Sequence, residues 1–155
     1  MKKLLILTIF FGSLAIFSQS ENSELRVFSF SEVEKLHQQN PKPILVFIYT
    51  DWCTFCHGME KKTFKNEEVI QFLNENFYFI KLNGEDKKDI LFLGKKFVYK
   101  PSGTNTGLHE LANELGSKKG RITYPTTTIL NSKFEINAQL IGYLKSKKLL
   151  SILKQ

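Results

Sequence analysis

Residues 43–64 read Pro-Ile-Leu-Val-Phe-Ile-Tyr-Thr-Asp-Trp-Cys-Thr-Phe-Cys-His-Gly-Met-Glu-Lys-Lys-Thr-Phe, and this stretch organises the rest of the chain. Ile44 to Tyr49 is an unbroken apolar run, β-branched and aromatic, behind prolines at 41 and 43. Such a run predicts a strand buried on both faces. It leads directly into Cys53-Thr54-Phe55-Cys56, and the residues that follow have helical character. A first cysteine at a strand-to-helix junction sits among unpaired backbone N–H groups and the positive end of the helix dipole. Both favour thiolate at Cys53, and thiolate is the form that attacks disulfides. Cys56 lies one helical turn later, close enough to close a ring with Cys53. The chain has two cysteines in all, so neither has another internal partner.

Four chemistries compete for that pair. A purely structural disulfide is a poor use of i, i+3 spacing, because it closes almost no loop in the unfolded chain. Cys53-x-x-Cys56-His57 also matches the attachment signature of a c-type haem, with Met59 or His109 as the conceivable second iron ligand. A haem site, however, needs neither a buried strand ending in Trp nor a distant Tyr124-Pro125. Zinc would call for further ligands at a spacing that the three histidines do not supply. Reversible dithiol–disulfide exchange fits best, with Cys53 as nucleophile and Cys56 as resolving thiol.

Asp51-Trp52-Cys53-x-x-Cys56 behind a hydrophobic strand, with Tyr124-Pro125-Thr126 downstream, resembles the active site of the thioredoxin-like family. The motif is particularly similar to the C-terminal domain of the periplasmic transmembrane thiol:disulfide interchange protein and to related secreted thioredoxin-like proteins. The resemblance implies a thioredoxin-like α/β fold and a catalytic pair Cys53 and Cys56 forming a redox-active disulfide. Trp52, Glu60, Tyr124 and Pro125 would support that pair. Pro125 would be cis and stand opposite Cys53, Tyr124 would pair through its backbone with a client chain, and Glu60 would relay protons to Cys56. The same family carries an acid within the preceding strand, six residues before the first cysteine; here that position is Phe47. Partners would be protein disulfide substrates and a protein electron donor or acceptor. The chemistry needs no dissociable cofactor and no metal, and the resemblance favours the reducing direction. A redox-inert thioredoxin-like binding module is the alternative within the same fold.

The remaining sequence is compatible with that frame. A length of 155 residues suits one domain, and 42% hydrophobic with 13% aromatic residues argues against disorder. Lys2 and Lys3 precede an apolar run from Leu4 to Phe17, then Ser18-Gln19-Ser20. That is the layout of a secretory signal, cleaved after about Ser18. The run is short and interrupted for a membrane span, so residues 19–155 are expected as a periplasmic or extracellular domain without a permanent anchor. The formal charge of +7 comes from scattered lysine doublets, which suits solvated faces and not nucleic-acid binding.

Four strands are expected, Ile44–Tyr49, Phe77–Leu82, Thr126–Leu130 and Phe134–Leu140, forming a central mixed sheet flanked by helices. A capping box at Ser31-x-x-Glu34 would start a helix ending near Asn40, with His37 on its polar surface. Val27-Phe28 would be a short first strand. Helices are expected from Cys56 to about Thr63, after an N-cap at Asn66, along Leu108-Leu111-Ala112-Leu115, and through Leu149, Leu150 and Leu153. The connection from 83 to 124 exceeds what a simple crossover needs. Within it, residues 84–106 read as an insertion: a hairpin near 90–99, shielding a sheet edge, and an irregular loop from Pro101 to Gly107 beside the active site.

Overall fold

A computed structural model describes residues 24–155, and the secretory segment expected at residues 1–18 lies outside them. The chain runs α1 (Phe30–Gln39), β1 (Ile44–Tyr49), α2 (Thr54–Gly58), a π-helical turn (Met59–Thr63), α3 (Glu67–Asn76) and β2 (Tyr78–Asn83). It continues through β3 (Ile90–Phe92), β4 (Lys95–Phe97), β5 (Tyr99–Gly103), β6 (Thr106–His109), α4 (Glu110–Gly116), β7 (Thr126–Leu130), β8 (Ile136–Ile141) and α5 (Ser146–Leu153). The four-stranded sheet has the order β2-β1-β7-β8, with β1 parallel to β2 and antiparallel to β7. This is the mixed sheet expected from the sequence.

β1 is buried on both sides, and its side chains divide between two cores as strand geometry requires. Ile44, Val46 and Ile48 join Phe30 and Val33 of α1, Leu111 and Leu115 of α4, and Phe92 and Phe97 of the β3–β4 hairpin. Leu45 and Phe47 face the opposite way, into a core with Cys53, Cys56, Met59, Leu73 of α3 and Leu149 of α5. The cysteines therefore sit on the edge of one packed layer, and the strand that presents them is clamped from both sides. Asn66 caps α3 as expected, accepting from the Val69 N–H at 3.2 Å.

Several expectations need correction. The capping box of α1 is Ser29 with Glu32, two residues earlier than the one anticipated. The reason is burial: starting at Ser29 turns Phe30 into the core, and Glu34 is engaged elsewhere, accepting from the Leu93 N–H at 2.8 Å. His37 is buried at 8% exposure with its ring 4.5 Å from that of Phe134, so it is not a surface residue. Val27 makes a single parallel bridge to Phe79 and not a strand. That bridge, and not the β3–β4 hairpin, lies along the outer edge of β2; the hairpin covers a face of the sheet with Phe92 and Phe97. Its tight turn falls at Leu93-Gly94, both with positive φ, which is the two-residue geometry favoured in hairpins.

The segment read as an irregular loop, Pro101 to Gly107, forms most of a second hairpin, β5 paired antiparallel with β6. Pro101 is tolerated because β5 is an exposed strand of a two-stranded ribbon. Leu108 belongs to β6 and not to the helix, which starts after His109. Phe134 precedes β8 at φ 63°, inside a turn held by Asn131.

Candidate active site

The site begins where β1 ends. Cys53 takes an extended conformation at the N-cap of α2, and its Sγ accepts from the Cys56 N–H at 3.1 Å. Its own N–H donates to the Thr50 carbonyl at 3.1 Å, tying the turn back to β1. Cys53 and Cys56 are joined in a disulfide with their Cα atoms 5.2 Å apart. Cys53 retains 5% exposure and Cys56 none, so the first cysteine lies nearer to solvent. The helix continues from α2 through the π turn, closed by the Phe64 N–H donating to the Met59 carbonyl at 2.9 Å.

Exposed aromatic surface surrounds this buried pair. Trp52 and Phe55 are 66% and 69% exposed on either side of Cys53. The Trp52 ring meets Tyr124 edge-on at 5.9 Å between centroids, and the Tyr124–Pro125 peptide is cis. Burial pushes the Tyr124 hydroxyl up to about 12, with the Glu85 carboxylate adding to the shift. Three residues after β1, the Trp52 indole N–H donates to Glu85 Oε2 at 3.1 Å. Glu85 is held in turn: its N–H donates to Asn83 Oδ1 at 2.9 Å, and Asn83 Nδ2 donates to Asp51 Oδ2 at 3.1 Å. A ring of side-chain contacts thus joins the Asp51–Trp52 turn to the loop after β2.

Glu60 lies on the π turn. Its carboxylate pairs with Lys81 and stands 3.5 Å from His57 Nδ1. The other imidazole nitrogen, Nε2, hydrogen-bonds the Asp51 carbonyl at 2.7 Å, so His57 is tethered across the front of α2. Lys81 is the register partner of Phe47 and passes over the Tyr49 ring at 4.8 Å. Phe47 itself is fully buried, its ring 4.8 Å from Phe64.

The structure therefore brings Cys53, Cys56, Trp52 and Tyr124 together, with Pro125 next in chain and Glu60 at one side. Met59 and His109, considered as iron ligands, are both fully buried and already engaged. Met59 Sδ accepts from the Leu144 N–H at 3.5 Å, and His109 caps α4. Asn83, Glu85 and Lys81 were not singled out from the sequence. They act across separations of 21 to 33 residues, and no local pattern marks such contacts.

Comparison with known proteins agrees with this geometry. A family model described as Thioredox_DsbH, "Protein of unknown function, DUF255", matches residues 21–106, more than half of the chain. An uncharacterized protein of Caenorhabditis elegans, B0495.5, is 39% identical over 66 residues, covering 43% of this chain and 9% of that protein. The thiol:disulfide interchange protein DsbD of Klebsiella pneumoniae is 36% identical over 64 residues, 41% of this chain and 11% of that one. The chain thus spans about a tenth of the length of these curated relatives. Among solved structures, a thioredoxin from Thermus thermophilus superposes with a TM-score of 0.59 at 19% identity, covering 85% of this chain and 86% of the other. The fold is that of thioredoxin.

Proposed function

The chain belongs to the Thioredox_DsbH family, and from that premise we propose that it is an exported thiol:disulfide oxidoreductase that reduces protein disulfides. The observation that carries this reading is the Cys53–Cys56 disulfide at a helix start, with the first cysteine nearer to solvent than the second. In the reduced protein the Cys53 thiolate attacks one sulfur of a client disulfide. A new S–S bond forms, the client bond breaks, and one client thiolate leaves. Cys56, as thiolate, then attacks the Cys53 sulfur, expels the second client thiolate and closes the internal disulfide. The client gains two electrons and takes its protons from solvent; a protein dithiol must then return two electrons to this chain.

The surrounding residues take roles in this scheme. The Cys56 N–H already points at the Cys53 sulfur, and it would stabilise the thiolate that must form there. Trp52, Phe55 and Tyr124 offer an apolar landing surface, with the backbone before Pro125 available to an extended client strand. Glu60 would carry a proton between Cys56 and solvent, with His57 as the next group outward.

In a Cys56→Ala variant, Cys53 should alkylate with an apparent pKa well under the free value of about 8.5. A value at or above it would count against catalysis. A reduction potential far more reducing than about −120 mV, the value of a dedicated oxidant, is expected if the direction is as proposed. Export is checked by N-terminal sequencing of the protein recovered outside the cytoplasm, with Gln19 expected as the first residue.

A further inference from the structure

The histidine that ends β6 does more than its position requires. His109 is completely buried, and both imidazole nitrogens are used. Nδ1 accepts from the Leu111 N–H at 3.2 Å, which caps α4. That nitrogen must carry a lone pair, so the ring proton is on Nε2, where it donates to the Lys88 carbonyl at 3.1 Å. The His109 backbone N–H donates to the Gly84 carbonyl at 2.8 Å. One residue thus grips the loop between β2 and β3 at two points, Gly84 and Lys88. Between them lies Glu85, whose carboxylate receives the Trp52 indole N–H.

Resting on the thiol-exchange reading above, we propose that His109 is a positioning residue for the site: it fixes the Gly84–Lys88 loop so that Glu85 holds Trp52 in place beside Cys53. A simple cap does not account for the residue. Asn, Asp or Ser caps a helix better and with a shorter side chain. None of them reaches from the start of α4 to the Lys88 carbonyl, whereas imidazole has a second nitrogen on its far side. Trp52 needs such a holder. It is two-thirds exposed, and besides its edge contact with Tyr124 the Glu85 bond is what fixes its indole. That exposed bond is weak alone and depends on how firmly the Glu85 backbone is placed. The bonds made by the buried His109 supply that firmness from behind.

Two variants separate capping from tethering. His109→Asn keeps an acceptor for Leu111 N–H but cannot reach Lys88; His109→Ala loses both. Trp52 is the sole tryptophan, so the reduced protein gives one indole N–H resonance. Its solvent exchange should quicken about threefold or more in His109→Asn, as local opening of the loop becomes easier. The KM for a protein disulfide should rise about threefold with kcat little changed, and turnover of a small disulfide should stay as in the wild type. In a Glu85→Ala background the same His109→Asn change should have no further effect on either readout, because the residues act in series.

Unchanged indole exchange in His109→Asn, or an effect that persists in full without Glu85, overturns the proposal. If the wild-type protein turns over no disulfide, the functional reading fails while the exchange measurement still decides the role of His109. If His109→Asn does not fold, the imidazole 15N spectrum of the wild type decides. An Nε2–H tautomer with slow exchange is expected, and an Nδ1–H tautomer refutes the tether.

Discussion

Gly84 offers a direct test of how tightly the site is assembled, through the change Gly84→Ala. Its backbone is not in the left-handed region, so alanine meets no conformational strain there. The obstacle is Tyr124. A Cβ on residue 84 would stand 2.7 Å from Tyr124 Cζ and 2.8 Å from Cε1, and nearer still to the hydroxyl. Ordinary contact begins at 3.4 Å, so the ring must withdraw by roughly 0.7 Å at Cζ. Overpacking of this kind costs about 1–3 kcal/mol. The loss of chain freedom in the unfolded state returns about 0.4–1 kcal/mol. The two ranges leave a net loss of about 0–2.6 kcal/mol, centred on about 1.3 kcal/mol, which at the centre is a fall of roughly 3–6 °C in Tm for a domain of this size. Thermal and urea unfolding of the oxidised protein measure it directly. Combining Gly84→Ala with Tyr124→Ala should cost less than the sum of the two single changes, since the second removes the clash. Full additivity of the two changes would refute the reasoning.

Tyr124 also predicts an alkaline sensitivity. Its hydroxyl is raised from 10.0 to about 12 in the folded chain, so folding favours the neutral form. That contribution is complete below pH 10 and is lost as pH rises through 12; Tyr124→Phe should flatten this part of the stability profile relative to the wild type. Phe47→Ala removes a fully buried ring from the layer that holds both cysteines, and a loss of about 3–5 kcal/mol is expected. A shift in urea midpoint worth under 1 kcal/mol, at unchanged m, would show that Phe47 is not anchoring that layer.

What the sequence disclosed follows from how local each signal is. The β1 run, the Asn66 cap and the Cys53–Cys56 turn are written in consecutive residues, and all three stand where they were read. The start of α1 falls two residues before the expected Ser31-x-x-Glu34 box because a second box, Ser29 with Glu32, overlaps it. Local capping energy hardly separates them; burial of Phe30 and the distant demand of the Leu93 N–H do. The turn-forming composition of 101–107 suggested a loop because Gly, Pro and Asn punctuate it. Pairing with β6 makes β5 a strand even so, since an isolated ribbon leaves Pro101 an edge that needs no donor. The Trp52–Glu85 bond and the His109 tether had no counterpart in the sequence reading. Each joins residues that only the completed sheet brings together.

The two strands behind the site also explain why its polar groups lie where they do. With Phe47 filling the position where the resembling family carries an acid, no carboxylate approaches the cysteines from within β1. Lys81, paired in register with Phe47, consequently has no acid on the neighbouring strand and reaches forward to Glu60 on the π turn. Glu60 is the second residue of that turn, which the Phe64 N–H closes on the Met59 carbonyl. Glu60 is shared between Lys81 and His57, and His57 is anchored on the Asp51 carbonyl. The relay proposed above for Glu60 therefore rests on a carboxylate supplied by the π turn and not by the sheet. Phe47 thus fills the space under the disulfide with an aromatic ring, and Glu60, Lys81 and His57 meet on the π turn beside it.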